Sequence, residues 1–295
     1  MDSRLKQWIT DAQIILEDGL LSHLPSISEH PHSIHKAMHY SVFAGGKRLR
    51  PLLCLAAAEA CGASLVEAVI PACAVEVLHT YSLVHDDLPC MDDDVLRRGV
   101  PTNHVVFGEG IAVLAGDALL TEAFTILLRQ PSTAYYSTSD FYRVLALASG
   151  SRGMIGGQTL DLESEGKTLN LKQLEEIHSL KTAALLSASL QLGGMVANAS
   201  KAETSALKEF GMLLGLAFQV VDDILDVTQT TENLGKTSGK DEKVQKVTYP
   251  SILGLEESKQ QARLLTKQAL QQLEIFGEKA EVLQLFAEYM LRREF

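Results

Sequence analysis

The sequence predicts a single all-α domain of 295 residues. Apolar residues recur with the helical period along nearly the whole chain, and no stretch alternates as a half-buried strand would. Two stretches, 65–84 and 206–227, are apolar around most of the helix circumference, which is typical of helices surrounded by other helices. No linker and no repeat of solenoid length divides the chain, so we expect one domain over residues 1–295.

Amphipathic segments fill out the predicted helical layout at 3–18, 33–44, 105–129, 139–162, 171–198, 256–274 and 279–293. Turn-forming residues separate these segments, at 25–31, Gly45-Gly46, Pro101, Pro131, Gly166 and the polar stretch 228–248. With 46% hydrophobic residues, a chain of this length can bury a large core.

Composition and charge exclude several classes of protein. Lys plus Arg is 26 against 37 Asp plus Glu, a net charge of −11, which argues against a nucleic-acid partner or an anionic membrane surface. The four cysteines have no CxxC spacing and lie within or beside apolar runs, as reduced packing thiols do. The chain starts with charged residues, and no stretch reaches the ~18 uninterrupted apolar residues of a membrane span. We therefore expect a cytoplasmic protein without a membrane span.

An acidic cluster, Asp222, Asp223 and Asp226, ends the apolar stretch 206–227. Asp222 and Asp226 are four residues apart, so they point the same way on a helix, and Gln219 shares their face. Oxygen ligands at this spacing suit Mg²⁺, which also takes water and substrate phosphate. The alternative is a solvated acidic face, but the cluster interrupts a core-like run, which favours a ligand role. For Gln219 an ordinary surface position remains open.

A second acidic cluster, Asp86, Asp87 and Asp92, follows the apolar stretch 65–84. Asp86 and Asp92 are six residues apart, which a straight helix would place on different faces, and Pro89 makes continuous helix doubtful. A bulge would bring both toward one metal ion. An EF-hand is excluded because no glycine stands at its sixth position.

Basic residues cluster near these acids. Arg97 and Arg98 form a pair suited to phosphate, although neutralising the acids at 92–94 is an open alternative. In 45–51, GGKRLRP, the glycines allow close approach of an anion to which Lys47 and Arg50 converge. The segment lacks the spacing of a P-loop. Further polar candidates, each an ordinary surface residue when taken singly, are Lys181, Thr182, Lys236 and Lys246.

The ordered set of motifs resembles the trans-isoprenyl diphosphate synthases over essentially the whole chain, and within them the bacterial-type farnesyl diphosphate synthases. The motifs are GGKRLRP at 45–51, HTYSLVHDDLPCMDDDVLRRG at 79–99, GxxGGQxxDL at 153–162, HxxKT at 178–182 and FQVVDDILD at 218–226. The resemblance implies an all-helical bundle of the isoprenoid synthase type around a deep central cavity. It also implies a homodimer that condenses isopentenyl diphosphate with dimethylallyl and geranyl diphosphate to give farnesyl diphosphate.

The resemblance also implies roles for matching residues. The cofactor that the resemblance implies is Mg²⁺, expected as three ions per active site, with Mn²⁺ as the alternative metal. The implied direct ligands are Asp86, Asp92 and Asp222, supported by Asp87, Asp223 and Asp226. The implied isopentenyl diphosphate site is Lys47, Arg50, His79 and Arg98. The implied allylic diphosphate site is Arg97, Lys181, Thr182, Gln219, Lys236 and Lys246. For His79, a buried histidine with satisfied hydrogen bonds remains the alternative.

Product length is expected to depend on Tyr81 and Ser82, which precede Asp86 by five and four residues. In resembling proteins an aromatic residue at the first of these positions accompanies a fifteen-carbon product, although Tyr81 as plain core packing stays open. Alternatives to farnesyl diphosphate synthase are a geranylgeranyl or longer-chain synthase, a class I terpene cyclase and a non-catalytic partner subunit. A cyclase needs no second diphosphate site, and a non-catalytic subunit is expected to lose metal aspartates.

Overall fold

Helices form almost all of the structure, a computed structural model that describes residues 1–228 and 247–292. The α-helices are α1 Ser3–His23, α2 His32–Val42, α3 Leu49–Ala60, α4 Val69–Asp86, α5 Asn103–Phe107, α6 Glu109–Leu127, α7 Thr138–Ser149, α8 Met154–Ser164, α9 Leu171–His178, α10 Ala184–Val196, α11 Lys201–Thr228, α12 Tyr249–Leu253, α13 Leu255–Gln272 and α14 Glu281–Arg292. The all-α prediction is confirmed.

Shorter elements join these helices. A π-helix, Ser179–Ala183, links α9 to α10, and 3₁₀ turns lie at Val66–Ala68 and Glu274–Ala280. Two short antiparallel strands, β1 Leu96–Arg97 and β2 Val100–Pro101, form a hairpin after the first acidic cluster. In the described ranges this hairpin is the only sheet, and it was not expected from the sequence.

Several predicted helices have different bounds. The segment 139–162 is two helices, because Gly153 has a non-helical backbone (φ −137°, ψ −130°) between α7 and α8. Helix α11 begins at Lys201, before the predicted 206, because Ser200 and Glu203 form reciprocal side-chain to backbone hydrogen bonds of 3.3 and 2.8 Å. Helix α3 is buried on nearly all sides, so no amphipathic pattern marks it.

Helix α10 lies at the centre of the bundle, packed against α3, α4, α7 and α11. Glycines allow the close approach of backbones. A Cβ atom on Gly193 would lie 2.0 Å from the Cys54 carbonyl oxygen of α3, and one on Gly211 of α11 would lie 2.5 Å from the Cα of Ser187. The contact between α10 and its neighbours therefore fixes α3 and α11 relative to each other.

Two described helical stretches, Val66–Asp86 and Glu109–Leu127, are long and apolar enough to cross a membrane by length and composition. Most of the first is enclosed by the bundle, with 67% of its most apolar window buried, against 39% for the second. The second stretch, α6, thus presents an apolar face outward, including Val113 and Leu114 at 40% and 55% exposure.

Candidate active site

The first acidic cluster is gathered by a chain reversal at the end of α4. The helix ends at Asp86, and the Asp92 backbone N–H donates to the Asp86 carbonyl oxygen at 2.8 Å. Residues that a straight helix would separate are therefore adjacent. Burial raises the pKa of Asp86 to about 6, with Asp92 and Asp87 adding to the rise while Lys181 and Arg97 oppose it. Such a carboxylate favours a nearby cation.

Asp87 is already paired. Its carboxylate is buried at 3% exposure and accepts from Arg97 Nε at 2.6 and 2.8 Å, with Arg97 Nη2 at 2.5 Å. Burial raises the pKa of Asp87, and the hydrogen bonds from Arg97 oppose that rise. Arg97 Nη2 also lies 3.8 Å from Asp94. Arg97 therefore neutralises chiefly Asp87, and of the acids at 92–94 to which the alternative assigned the arginine pair it lies near Asp94.

Arg50 and His79 form an enclosed hydrogen-bonded pair between the start of α3 and the C-terminal half of α4. Arg50 Nη1 lies 3.0 Å from His79 Nε2. Because a guanidinium only donates, Nε2 accepts and the imidazole proton sits on Nδ1. Burial lowers the pKa of His79 well below its usual value, with Arg50 the next cause, so the ring is neutral at pH 7. Within the described ranges, His79 Nδ1 and Arg50 Nε are both enclosed without a hydrogen-bond partner. Two such donors suit an anion.

Arg50 also connects this pair to the second acidic cluster. Burial lowers the pKa of Arg50 to about 10, with Arg98 adding to that effect, while the charges of Glu76 and Asp222 oppose it. The end of α11 therefore lies within electrostatic range of the start of α3. Asp222, Asp226 and Gln219 are half-buried on α11. Asp223 accepts the Tyr249 backbone N–H at 2.9 Å and so fixes the start of α12.

The hairpin and the loop before α3 meet through Arg98. Its Nη1 donates a hydrogen bond to the Gly45 carbonyl oxygen. Gly46 has φ +119°, and a Cβ atom there would lie 2.4 Å from Arg98 Cζ, so this position requires glycine. Lys47 is exposed on the same loop. The arrangement brings the predicted isopentenyl diphosphate residues Lys47, Arg50, His79 and Arg98 to one end of the bundle.

Lys181 and Thr182 lie in the π-helix, a rare element that is frequent at functional sites. Lys181 Nζ pairs with Asp161 of α8 at 2.5 Å, and its charge opposes the rise that burial causes in the pKa of Asp86. A Cβ atom on Gly157 would lie 2.2 Å from the Lys181 backbone nitrogen, so α8 contacts the π-helix directly. Thr182 is buried. The predicted Lys236 and Lys246 lie outside the described residues.

Tyr81 is 5% exposed and packs edge-to-face on His85, with ring centroids 5.8 Å apart. The His85 ring occupies a notch above Gly116 of α6, where a Cβ atom would lie 2.1 Å from Nε2, and Nε2 lies 3.0 Å from the Val113 carbonyl oxygen. Half-buried Ser82 donates to the His79 carbonyl oxygen at 2.9 Å. Tyr81 is thus fixed between α4 and α6, within two turns of Asp86.

Residues of this region that the sequence did not single out are Arg48, Glu76, Asp161 and Gly157. Three of them have charged side chains in or beside apolar surroundings, with Glu76 at 1% exposure in the middle of α4. A lone acid within a buried helix was the available signal, because such an acid needs a cation.

The clustered residues fit a metal that binds together with phosphate. Across residues 1–228 and 247–292, no three His, Cys, Asp or Glu side chains lie close enough to hold a metal by themselves. Mg²⁺ typically takes one or two carboxylates and completes its shell with substrate phosphate and water. Adjacent Asp86 and Asp92, with oxygen donors only, match that requirement.

Comparison with known proteins gives the family. The Polyprenyl synthetase family matches residues 31–289. A chloroplastic geranylgeranyl pyrophosphate synthase of Capsicum annuum is 48% identical over 98% of this chain and 79% of its own length. A heterodimeric geranylgeranyl pyrophosphate synthase large subunit of Arabidopsis thaliana is 51% identical over 90% of this chain and 73% of its own.

A solved FPP/GFPP synthase structure from Zymomonas mobilis superposes with a TM-score of 0.85 at 35% identity, covering 97% of this chain and 99% of that one. The chain therefore belongs to the polyprenyl synthetase family, within the trans-isoprenyl diphosphate synthases, and is a prenyltransferase.

Proposed function

We propose that the protein elongates prenyl chains by condensing isopentenyl diphosphate with an allylic diphosphate. The observation that carries this proposal is the enclosed pair of unpartnered donors, Arg50 Nε and His79 Nδ1, at the same end of the bundle as Asp86 and Asp222. A site for a metal-free diphosphate beside acids for a metal-bound one is what condensation of two diphosphates needs. A class I terpene cyclase does not need the site for a metal-free diphosphate.

The acids and lysines would bind the allylic substrate. We propose Asp86, Asp92 and Asp222 as ligands of Mg²⁺, or alternatively Mn²⁺, with Asp223 and Asp226 in support. When bound, the metal neutralises the departing diphosphate. Lys181 adds positive charge where that leaving group develops its own negative charge. Cations and donors proposed for the same diphosphate are Thr182, Gln219, Lys236 and Lys246.

The cationic cluster would bind isopentenyl diphosphate. Lys47, Arg50, His79 and Arg98 are proposed to hold its diphosphate while the double bond attacks the allylic carbocation. For Arg97 the observed partner is Asp87, so we propose that it supports the first acidic cluster by holding that carboxylate. The allylic C–O bond breaks, the new C–C bond forms, and one proton leaves. No described side chain is placed as a dedicated base, so the released diphosphate is proposed to take that proton.

For the product, we propose geranylgeranyl diphosphate, because the Capsicum annuum and Arabidopsis thaliana relatives, with about half of their residues identical, are named for that product. Farnesyl diphosphate, expected from the sequence motifs, remains the second candidate because of one observation. The ring of Tyr81 is buried, and we propose that it limits the prenyl tail.

One product analysis tests these proposals. Purified enzyme is incubated with isopentenyl and dimethylallyl diphosphate, with Mg²⁺ or with chelator, and the products are identified by mass spectrometry. A twenty-carbon diphosphate formed only with Mg²⁺ supports the main proposal, and a fifteen-carbon one supports the second candidate. Hydrocarbon release from an allylic diphosphate alone would identify a cyclase and contradict both.

We also propose a cytoplasmic homodimer in which the outward apolar face of α6, with Val113 and Leu114, is covered by a second copy. Light scattering of wild type and Leu114→Glu checks this assembly. A dimer that becomes a monomer in the variant supports the interface, whereas a monomeric wild type or an unchanged dimer in the variant contradicts it. Cell fractionation checks the location.

A further inference from the structure

Arg48 has an unusual backbone for its residue type. Its φ and ψ of 50° and 32° are left-handed, which is uncommon for residues other than glycine, asparagine and aspartate. It immediately precedes α3, so its conformation sets the direction in which the loop enters the helix. On one side of it stands Lys47, and two residues later stands Arg50. A strained residue persists only where its surroundings hold it.

The buried guanidinium of Arg48 has a hydrogen-bond acceptor for each of its nitrogens. The side chain is 2% exposed, and its three guanidinium nitrogens each have a separate acceptor. Nε donates to Glu17 at 2.9 Å, Nη1 to Glu76 at 2.8 Å and Nη2 to the Val42 carbonyl oxygen at 2.7 Å. One side chain therefore joins α1, the end of α2 and the middle of α4 to the loop. A guanidinium spreads its donors over three nitrogens in a planar fork, which suits three separated acceptors better than the single nitrogen of a lysine.

Glu76 connects the hydrogen bonds of Arg48 to the proposed isopentenyl diphosphate site. It lies three residues before His79, so both point to the same face of α4. Burial lowers the pKa of Arg50 and of Arg98, and the charge of Glu76 opposes that fall in both, so Glu76 is within electrostatic range of both. The unpartnered donors of Arg50 and His79 are thus held in place through a helix whose buried acid is bound by Arg48.

We propose that Arg48 and Glu76 are positioning residues for the isopentenyl diphosphate site, fixing the Lys47–Arg50 segment against α4 before substrate arrives. This inference rests on the proposed function, since it assigns the segment to that substrate. The residues proposed for the allylic diphosphate lie at the C-terminal end of α4 and after it, in the π-helix and on α11, and none belongs to the segment that Arg48 and Glu76 hold, so the inference concerns isopentenyl diphosphate.

The direction in which one substitution changes KM for isopentenyl diphosphate separates a positioning role from a purely electrostatic one. Glu76→Gln removes a negative charge near Arg50 and Arg98, which by charge alone would strengthen diphosphate binding. If Glu76 positions the segment, the same change weakens it. We expect KM for isopentenyl diphosphate to rise about tenfold or more in Glu76→Gln and in Arg48→Lys, with KM for the allylic substrate within about twofold. A fall in KM for isopentenyl diphosphate in Glu76→Gln overturns the proposal.

A double variant separates positioning from stability. Arg48→Met with Glu76→Leu removes both charges together, which avoids leaving one buried charge alone. We expect its Tm to recover relative to the single variants, while KM for isopentenyl diphosphate stays raised because no group reaches Val42. Recovery of that KM together with Tm would show that the pair is only structural.

Two controls complete the experiment. Arg48→Gly permits the left-handed backbone without the side chain, so wild-type KM in this variant would refute the role of the guanidinium. Arg143→Ala removes one partner of an exposed pair with Asp140 and is expected to change neither KM. If the wild-type enzyme does not condense the two substrates, the proposed function fails. If wild type is active but the single variants keep its KM, only this inference fails.

Discussion

Replacing Tyr81 by Ala removes the buried side chain that we propose limits the prenyl tail. The ring is 5% exposed, and loss of a buried aromatic ring costs about 3 to 5 kcal/mol. At about 2.1 cal/mol/K per residue, the 295 residues give an unfolding entropy of about 0.6 kcal/mol/K. We therefore expect Tm to fall by about 5 to 8 °C, and the products are compared at a temperature below the measured Tm of the variant.

The same variant should lengthen the principal product by at least one five-carbon unit, because the ring that we propose stops the prenyl tail is gone. Mass spectrometry of the diphosphate products from Tyr81→Ala and wild type measures this change. Tyr81→Phe is the matched control, since it keeps the ring and its contact with His85, and it should keep the wild-type product. A lower Tm with an unchanged product in Tyr81→Ala would show that Tyr81 is core packing only.

Two further substitutions probe the π-helix. Gly157→Ala places a Cβ atom 2.2 Å from the Lys181 backbone nitrogen, so we expect overpacking of about 1 to 3 kcal/mol, seen as a Tm lowered by about 2 to 5 °C, together with reduced turnover. The control is Gly110→Ala on α6, where a Cβ atom meets no other atom within 4 Å, so turnover should stay unchanged and Tm should be equal or slightly higher. The same turnover and Tm in the two variants would contradict the role of Gly157. Asp161→Asn removes the charged partner that holds Lys181 at 2.5 Å, so KM for the allylic diphosphate should rise about tenfold while KM for isopentenyl diphosphate stays constant. Glu256→Gln, which breaks an exposed pair on α13, serves as its control, and a wild-type allylic KM in Asp161→Asn would refute this assignment.

Helical periodicity was sufficient to predict the fold class, because nearly every helix buries one face or all of its surface. It did not predict the break at Gly153 or the hairpin at β1 and β2, where backbone conformation depends on neighbouring elements. Pro89 made continuous helix beyond Asp86 doubtful, but the sequence suggested a bulge there, whereas in the structure the helix ends and the chain turns back onto Asp86.

The partners of the charged residues were not predictable from spacing. Arg48 is one basic residue of three in 45–51, and nothing local distinguishes it as the buried one. Its left-handed backbone exists because Glu17, Glu76 and Val42 converge on its side chain from three helices. Arg97 likewise binds Asp87, ten residues earlier in the chain, only because the hairpin folds back onto α4.

A double-mutant cycle tests most directly whether the two acidic clusters act on one metal-bound diphosphate. Asp86→Asn, Asp222→Asn and the double variant are assayed at saturating Mg²⁺, with far-UV circular dichroism to confirm helicity. Each single variant should lose about 100-fold or more in kcat, and the double variant should lose little more than the worse single one, because either loss disables the same site. Losses that multiply in the double variant, or turnover near wild type in either single variant, would contradict a shared site.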